Sequence, residues 1–476
     1  MIIGLKMGGI IMIDQMERKL VNLAFSSKTN IEFEEKMTEI IYQEISKVVS
    51  RVFEEIDNQL VTNTKAKGYE IERRDNRIIQ FLFGDVEFSR RLYKKGKSSL
   101  YALDDYLGFE ARVRYSQLVQ SKITRLTSRG EFAKISEAVN MLTPLSISAH
   151  GVHQITQRVS QKIKNYEECK GEFITNDKKK LPVLYLEGDA ILIKDRSGKG
   201  ELLTLHRYQV HEGVIKNGNR SKCINKYLAS GFSRKKAFNE MLNYLHSHYD
   251  LSNTIILSCS DGGSGYEPSV FYELALGCKH YEHFLDRYHL MRKIDERTYF
   301  CKQKLVDKLK RAIRSYSKKD VDLILDTMES IADVRKDSIQ AIEYIRLLRR
   351  YIRRNWKYIK PIGKRELPGI ENYKGLGTFE SNHRPFSYRM KKQGRAWSKK
   401  GAENMVRVIN SINNGDFSEA ISVNWEKKLE KILDIEVDMR ELLNNEFENH
   451  QIKQGRIVNY GSSSSSFGRF KKRIME

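Results

Sequence analysis

The sequence predicts a multi-domain α/β protein with an all-α insertion, preceded by a mostly α-helical N-terminal region that carries a β-hairpin. Three observations predict this fold class. The chain has 476 residues, which is more than one hydrophobic core usually organises. Short strands rich in β-branched residues alternate with amphipathic helices between residues 181 and 296. A long stretch of helical periodicity then separates these strands from another helical segment.

The charge balance indicates the kind of partner that the chain binds. Lys and Arg number 84 against 61 Asp and Glu, which gives a formal net charge of +23. This surplus favours nucleic acid over a membrane surface, because no apolar stretch approaches the ~20 residues needed to span a bilayer. The five cysteines are scattered without a CxxC spacing. They predict a reducing, cytoplasmic location without disulfides or a zinc ribbon.

The first predicted domain covers residues 1–66. Apolar residues at helical spacing from residue 13 to about 65 predict one or two amphipathic helices, which serve packing or self-association. The segment 1–12 makes a poor signal peptide, and Met1, Met7 and Met12 are all plausible starts.

The second predicted domain, residues 67–175, begins with a hairpin. Alternating residues over Arg77–Tyr93 predict two strands that turn at Gly84-Asp85. Arg90 and Arg91 belong to a basic rim that we expect to follow a nucleic-acid backbone. The alternative is a solvated charged edge that deters sheet aggregation.

Two helical patterns later in this domain are spaced like a helix-turn-helix. Glu131–Leu142 is followed by a short turn, and Ser148 is a suitable N-cap for a helix over Ala149–Lys164. On this interpretation the second helix reads the major groove of DNA. Its candidate contact residues are His150, Gln154, Gln157 and Arg158. An ordinary αα-hairpin has the same pattern, and a polar linker near 170–180 ends the domain.

The third predicted domain, residues 176–296, carries the first two candidate catalytic acids. Glu187 and Asp189 share one face of an apolar strand over Leu181–Lys194, where unpaired carboxylates are unfavourable. The expected continuation is a return strand over Glu201–Val210, a third strand over Gly213–Cys223 and a helix over Phe232–Tyr249. After this helix comes a buried strand, and Asp261-Gly-Gly-Ser-Gly follows directly at its end.

This order of strands and helix is the layout of a ribonuclease-H-like fold. The strand before Asp261 is expected to lie parallel beside an earlier strand, so Asp189 and Asp261 are expected to converge. A further strand over His280–Leu285 and a helix from Asp286 complete the domain.

Residues 297–375 are predicted as the helical insertion. Its last helix is strongly basic, and we expect it to face DNA, although a solvated face is the ordinary meaning of such a charge run. The cations assigned to this surface are Arg349, Arg350, Arg353 and Arg354.

Residues 376–415 return to the catalytic core, where Glu380 lies in the first turn of a predicted helix. A basic segment follows, with Arg384, Lys391, Lys392 and Arg395 as candidate phosphate contacts. Trp397 is either a core residue or a platform for an unpaired base. Residues 416–476 are predicted as a C-terminal helix and a basic, low-complexity tail.

Asp189, Asp261 and Glu380 together predict a metal site. Carboxylate oxygens bind Mg²⁺ or Mn²⁺, and two such ions can hold both sides of an in-line displacement at phosphorus. Glu187 competes as a ligand, and Glu371 and Glu403 are alternatives to Glu380. A zinc cluster is a weaker hypothesis, because the spacing matches no tight tetrahedral pattern. It would use Cys278, His280, His283 and His289.

At these residues the sequence resembles the DDE transposases of bacterial insertion sequences, and in particular the ISLre-type family, which is related to the Mutator-like group. The resemblance lies in four blocks and in the segment Tyr69–Tyr106. The four blocks are LYLEGDAILIK, LSCSDGGSGY, HFLDRYHLMRKI and GTFESNHRPFSYRMKKQGRAWSKKGAENM.

This resemblance implies an enzyme that cleaves and joins DNA at the terminal inverted repeats of its element. It implies that Asp189, Asp261 and Glu380 are the acidic triad, with two Mg²⁺ or Mn²⁺ ions per site. It also implies supporting roles for Asp286, His289, Arg389 and Trp397. The expected partner is double-stranded DNA, handled by a homodimer or higher oligomer in the bacterial cytoplasm, at the nucleoid. Alternatives are a structure-specific nuclease without joining activity and a non-catalytic DNA-binding protein derived from a transposase.

Overall fold

The computed structural model describes residues 15–169, 178–198, 200–218, 220–335, 338–367, 375–392 and 394–422. The chain is a multi-domain α/β protein, and it divides into two compact units. Unit 1 comprises residues 1–168 with 417–476, and unit 2 comprises residues 169–416. Within the described ranges, no helix has the length and apolar character needed to cross a bilayer. The possible starts Met1, Met7 and Met12, most of the predicted linker and the basic tail lie outside the described residues.

Unit 1 is built from helices around one small antiparallel sheet. Its strands are β1 (Glu70–Phe81), β2 (Gly84–Lys95) and β3 (Ser98–Tyr101). Its helices are α1 (15–26), α2 (Asn30–Ala66), α3 (Ala102–Leu107), α4 (Gln117–Thr127), α5 (Phe132–Leu142), α6 (Ala149–Cys169) and α15 (Phe417–Ile421).

The predicted hairpin is present, but its turn lies two residues earlier than predicted. Phe81 pairs with Gly84, so Leu82 and Phe83 form the turn. Gly84, which has a positive φ of 122°, is the first residue of the return strand. One face of the hairpin packs on α2 through an apolar cluster that includes Phe53, Val86 and Phe88. This burial fixes the register of the hairpin, because a one-residue slip would turn the apolar face to solvent.

Arg90 and Arg91 do not form an exposed basic rim, and this prediction is wrong. The Arg91 side chain is 10% exposed and forms an ion pair with Asp57 of α2, which is almost completely buried. Arg90 lies over the ring of Tyr101 and forms an ion pair with Asp104 of α3. Buried carboxylates need such partners, so both guanidinium groups hold helices against the hairpin.

The two predicted helices near the end of unit 1 are confirmed as α5 and α6. Ser148 caps α6, since its Oγ accepts a hydrogen bond from Gly151 N at 3.1 Å. Asn140 and Ser136 of α5 bind the backbone of Ile147 and so fix the turn between the helices. His150, Gln154 and Arg158 are exposed on α6, and Gln157 is half-buried.

Unit 2 contains the main sheet and the helical insertion. Its strands are β4 (Lys179–Lys180), β5 (Val183–Asp195), β6 (Leu202–His211), β7 (Val214–Asn217), β8 (Arg220–Cys223), β9 (Tyr227–Gly231), β10 (Tyr249–Asp250), β11 (Ile255–Ser260), β12 (His280–Leu285) and β13 (Ala396–Trp397). Its helices are α7 (Arg234–His248), α8 (Pro268–Leu274), α9 (Arg287–Arg297), α10 (Gln303–Arg314), α11 (Lys318–Asp333), α12 (Ser338–Ile359), α13 (Phe379–Phe386) and α14 (Lys399–Asn414). A 3₁₀ turn covers Ile362–Lys364 and a π-turn covers Ser387–Lys391.

The main sheet has six strands in the order β12-β11-β5-β6-β9, with β13 paired to the end of β5. Strands β5, β6 and β9 are antiparallel, whereas β11 and β12 run parallel to β5. The predicted parallel pairing of the strand before Asp261 is therefore confirmed. The predicted third strand is wrong, because residues 213–223 form the separate β7–β8 hairpin, and β9 takes that place in the sheet.

The main sheet is covered on both faces. On one face, Leu184, Tyr208 and Ile256 pack against α7 and α8. On the other face, Tyr185, Leu257 and Phe284 pack against Ile362 and Leu376. Helices α9 to α12 have their own core, centred on residues such as Leu309, Met328 and Leu348. Strand β5 is therefore buried over most of its length and has little freedom to move.

The Asp57–Arg91 ion pair leads to a stability prediction. We expect Arg91→Met to lower the free energy of unfolding by about 3 kcal/mol, because Asp57 would remain buried without its partner. Arg74→Met is the matched control, since Arg74 is exposed on the same hairpin, and it should change stability by less than about 0.5 kcal/mol. Urea unfolding measures both effects. Unchanged stability of Arg91→Met together with weaker DNA binding would instead restore the predicted role in contacting phosphate.

Candidate active site

Asp189 and Asp261 lie just past the point where the parallel pairing of β5 with β11 ends. The parallel register of β5 and β11 pairs Glu187 with Cys259, and each acid follows two residues later. Both acids line one small cavity. The other lining residues are Glu187, Gly188, Cys259, Ser260, Asp286, His289, Phe379 and His383. The structure thus brings together two of the predicted triad residues and two of the predicted supporting residues.

Asp189 is a half-buried carboxylate, 22% exposed, with few protein partners. Its Oδ1 accepts a hydrogen bond from Ala190 N at 2.7 Å, and its Oδ2 lies 3.5 Å from His383 Nε2. Burial raises the pKa of Asp189 to about 6, and the negative charges of Asp261 and Asp286 act in the same direction. Desolvation and like-charge repulsion therefore both oppose ionisation of the Asp189 carboxyl group.

Asp261 is oriented by the glycine-rich turn that follows β11. Gly263 N donates to Asp261 Oδ1 at 2.7 Å, and a Cβ on Gly263 would lie 2.9 Å from that same oxygen. Gly262 has φ 70°, a conformation that favours glycine. The two glycines therefore allow the backbone to wrap closely around the carboxylate. Among the described residues, the second carboxylate oxygen of Asp261 accepts no protein hydrogen bond.

Asp286 and His289 form a pair at the start of α9. Asp286 caps this helix, with its Oδ1 accepting from His289 N at 2.9 Å and lying 3.3 Å from His289 Nδ1. The hydrogen bond with Asp286 raises the pKa of His289, although burial opposes this. Burial also opposes ionisation of Asp286, but its hydrogen bonds with His289 keep its pKa below the ordinary value. His289 therefore lies in the acidic cavity with its pKa shifted in the direction that favours the protonated ring.

Glu380 is the second residue of α13, as predicted, but its side chain is not described. His383, one turn later on this helix, lines the cavity and was missed as a site residue. Its spacing of three from Glu380 was the available signal, since such residues share a helix face. Burial and the nearby charge of Arg207 lower the pKa of His383 to about 2, so its ring is neutral.

Of the competing acids, Glu187 lines the same cavity, but its carboxylate is hydrogen-bonded to another element. Glu187 is turned towards the start of α13, where it accepts hydrogen bonds from Gly377 N and from the hydroxyl of Thr378. Glu403 lies on α14 and does not line the described cavity. Glu371 lies outside the described residues.

The acidic cavity is chemically suited to Mg²⁺ or Mn²⁺. Asp189, Asp261 and Asp286 bring three carboxylates together, and no Lys or Arg is among the side chains described around them. Burial and, to a smaller extent, like-charge repulsion raise the pKa of Asp189, and a divalent cation would offset this repulsion. Among the described side chains, no three His, Cys, Asp or Glu residues form a complete metal-ligand set. The predicted third ligand, Glu380, is outside that set of side chains.

The alternative zinc cluster is not assembled. His283 is buried in the sheet with its Nδ1 2.8 Å from Ser258 Oγ, and His289 pairs with Asp286. The thiol of Cys278 donates to the carbonyl of His280. These residues have separate structural partners, so the weaker hypothesis of a tetrahedral site is wrong for the described chain.

The basic helix α12 is only partly available to an external anion. Arg349 is largely buried and bridges Asp326 (2.7 Å) and Glu329 (3.0 Å) of α11, so its guanidinium group is engaged within the helical insertion and does not lie on the expected exposed basic face. Arg353 is exposed and lies 3.1 Å from Asp322. Arg350, Arg354 and Lys357 form an exposed line along the helix, which we call the α12 stripe. Within the described chain, Arg350, Arg354 and Lys357 form no ion pair.

The basic segment after Glu380 divides into an exposed part and a buried part. Arg384, Lys391 and Lys392 are exposed, whereas Arg395 is half-buried and donates to the carbonyl of Arg389. Arg389 is buried over the ring of Trp397, and the Trp397 indole donates to Met390 O at 3.0 Å. The core interpretation of Trp397 is therefore confirmed. Arg389 and Trp397 do not line the acidic cavity.

Comparison with known proteins identifies one family. The profile of an uncharacterised protein family, UPF0236, matches residues 27–429. A Streptococcus gallolyticus protein described as "UPF0236 protein in vanSb 3'region" is 35% identical over 452 residues, which cover 94% of this chain and 97% of that relative. Two UPF0236 proteins of Caldanaerobacter subterraneus subsp. tengcongensis are 26% and 24% identical, each over 80% of this chain and 76% of the relative. The printed name of the first of these two carries eleven locus labels.

The tight packing around Gly188, between Glu187 and Asp189, leads to a second prediction. A Cβ at Gly188 would lie 2.9 Å from Phe271, 3.0 Å from Tyr208 and 3.1 Å from Tyr266, all at ring atoms that cannot easily move. We expect Gly188→Ala to lower the free energy of unfolding by about 1–3 kcal/mol.

Gly231→Ala is the control for this substitution, because a Cβ at Gly231 meets no atom within 4 Å. It should change stability by less than about 0.5 kcal/mol. Thermal unfolding compares the two variants, and equal effects would contradict the described packing beneath the acids.

Proposed function

This chain belongs to the uncharacterised protein family UPF0236, and we propose that it is a DDE-type transposase. In this proposal it binds the terminal inverted repeats of an insertion sequence and catalyses metal-dependent DNA strand cleavage and strand transfer. The observation that carries the proposal is the meeting of Asp189, two residues past the last pair of the β5–β11 ladder, with Asp261, which directly follows β11. They meet in a cavity beside the helix that begins with Phe379 and Glu380. A chain of net charge +23 supports a polyanionic substrate.

The sheet supports the assignment of unit 2 to the ribonuclease-H-like folds. Three antiparallel strands, β5, β6 and β9, are followed by helix α7 and then by β11 and β12, which lie parallel to β5. This order agrees with the layout that the sequence pattern predicts for a ribonuclease-H-like fold. Open α/β sheets bind their ligands outside the carboxyl ends of parallel strands. Asp261 directly follows the carboxyl end of β11, and Asp189 lies in the interior of β5, two residues after the last pair of the β5–β11 ladder.

Asp189 and Asp261 would hold the cations, with Glu380 as the third acid. Mg²⁺ or Mn²⁺, two ions per site, would supply the Lewis acidity for an in-line displacement at phosphorus. Gly263 N holds one oxygen of Asp261 and leaves the other available. His289, whose pKa is raised by Asp286, can donate a hydrogen bond to an oxygen of a bound phosphate.

The side chains around the acids offer no activated covalent nucleophile. Burial raises the pKa of Cys259, so its thiol stays protonated. The hydroxyl of Ser260 donates to Tyr266 O at 2.6 Å and therefore serves the turn after β11. Both observations favour direct attack on phosphorus by water or by a DNA 3′-hydroxyl.

Two exposed basic surfaces in unit 2 are proposed to hold phosphates. One is the α12 stripe, and the other is formed by Arg384, Lys391 and Lys392 after the start of α13. In unit 1, the exposed residues His150, Gln154 and Arg158 make α6 the proposed recognition helix. The eleven locus labels in the name of one relative agree with a gene present in many copies, as expected for a mobile element.

This proposal predicts a separation of DNA cleavage from DNA binding. We expect Asp189→Asn and Asp261→Asn to slow cleavage by about 10²-fold or more while end binding persists, because each removes a cation ligand and no phosphate contact. The assay uses a supercoiled plasmid that carries the DNA flanking the gene, with Mg²⁺. A substrate with pre-cleaved 3′-hydroxyl ends and a target plasmid then measures joining.

Asp195→Asn is the control for these variants, since Asp195 ends the same strand and does not line the described cavity. It should cleave at close to the wild-type rate. Cleavage by Asp189→Asn at the wild-type rate would exclude the metal assignment. Cleavage without any joining product would identify a nuclease, and DNA binding without metal-dependent cleavage would identify a passive binder.

A further inference from the structure

Glu187 is a completely buried acid that the proposed chemistry does not use. It is 1% exposed and lies two residues before Asp189 on the same face of β5. Its carboxylate accepts hydrogen bonds from Gly377 N at 2.9 Å, from Thr378 N at 3.2 Å and from Phe379 N at 3.4 Å. The hydroxyl of Thr378 also donates to it, at 2.5 Å. We call this set of contacts the Glu187 clasp.

The Glu187 clasp lies at the N-terminus of α13. The first N–H groups of a helix have no partner within the helix, and the helix dipole favours a negative charge at this end. The cap residue of α13, Thr378, forms no side-chain cap of the usual kind within its own helix. Glu187 supplies the missing acceptors from a strand that lies 190 residues earlier in the chain.

Strand β6 supports the clasp from the neighbouring position. Gln209 pairs with Glu187 across the two strands, and its Nε2 donates to the hydroxyl oxygen of Thr378 at 3.0 Å. Arg207 is fully buried, donates to Asn382 O at 3.2 Å and lies against the rings of Phe379 and Phe386. Alternate side chains of two adjacent strands therefore hold α13 on the sheet.

The contacts of Glu187 distinguish it from a cation ligand. Both of its oxygens already accept hydrogen bonds, Oε1 from Thr378 and Oε2 from Gly377 and Phe379. A metal ligand would have to give up these bonds inside a buried site, which is unfavourable because three backbone donors would lose their acceptor. The arrangement thus suits a fixed anchor for the helix.

We propose that Glu187 is a positioning residue that fixes the first turn of α13, and with it the backbone of Glu380, relative to Asp189 and Asp261. This inference rests on the proposed function for its catalytic meaning. Strand β5 then carries both one acid of the triad and the anchor for the helix that carries another. Any shift of β5 moves the two together, so their spacing is preserved.

Hydrogen–deuterium exchange of the full-length protein without DNA or metal tests the anchor directly. Glu187→Gln removes the charge at nearly constant volume, and we expect exchange of the amides in residues 377–386 to become about ten-fold faster. The amides of β5 and β11 serve as the internal reference for global stability. Unchanged exchange at 377–386 would overturn the proposal.

Thr378 provides a matched pair of variants in case Glu187→Gln fails to fold. Thr378→Val loses the hydroxyl that donates to Glu187 and should also accelerate exchange, whereas Thr378→Ser keeps that hydroxyl and should preserve protection. The double variant Glu187→Gln with Thr378→Val should show less than the sum of the two single effects. Fully additive effects, or equal exchange in Thr378→Val and Thr378→Ser, would contradict a clasp between these two residues.

Cleavage assays over a range of Mn²⁺ concentrations distinguish a role of Glu187 in positioning α13 from a role as a metal ligand. As a positioning residue, Glu187→Gln lowers the maximal rate about ten-fold and leaves the Mn²⁺ concentration for half-maximal rate nearly unchanged. Recovery of the wild-type rate at high Mn²⁺ would make Glu187 a ligand and overturn the proposal. If the wild-type protein cleaves no DNA, the proposed function fails, and hydrogen exchange still decides the role of Glu187.

Discussion

The parallel pairing of β5 with β11 is the constraint on which the candidate site depends. It joins strands that are far apart in sequence and sets Glu187 opposite Cys259, so that Asp189 and Asp261 each follow two residues after the last pair of the ladder. The sheet core buries Leu184, Leu186 and Ile256 on one face and Tyr185 and Leu257 on the other. A one-residue slip in register would turn all these side chains over, and this fixes the relative position of the two acids.

This pairing places several carboxylates close together, and their mutual repulsion is the main electrostatic feature of the site. Asp189, Asp261 and Asp286 share a small cavity, and burial together with like charges raises the pKa of Asp189 to about 6. A fold that needed only stability would place apolar side chains here, since buried charges rarely add stability. The hydrogen bond with Asp286 raises the pKa of His289, which favours a positive charge on this ring beside the acids. A bound divalent cation is the simplest means of offsetting the negative charge that remains.

Sequence periodicity predicted much of unit 2, because the strands and helices there are determined by residues that are close together in the sequence. An apolar strand that ends in Asp-Gly-Gly and a helix that precedes it are enough to predict the parallel neighbour of β5. Arg91 and Arg349 were misassigned because their acidic partners, Asp57 and Asp326, lie 34 and 23 positions earlier, on other helices. The same limit hid the role of Glu187, whose partners are about 190 residues away. His383 was missed because its position in a basic segment obscured its one-turn spacing from Glu380.

The central claim is that the carboxylates of Asp189 and Asp261 jointly hold a divalent cation, and crystallography with Mn²⁺ tests it most directly. Crystals grown with Mn²⁺ would be measured at a wavelength where manganese scatters anomalously. The account predicts an anomalous difference peak within about 2.0–2.3 Å of an oxygen of each carboxylate. An empty cavity at saturating Mn²⁺, with peaks only elsewhere on the protein, would contradict it.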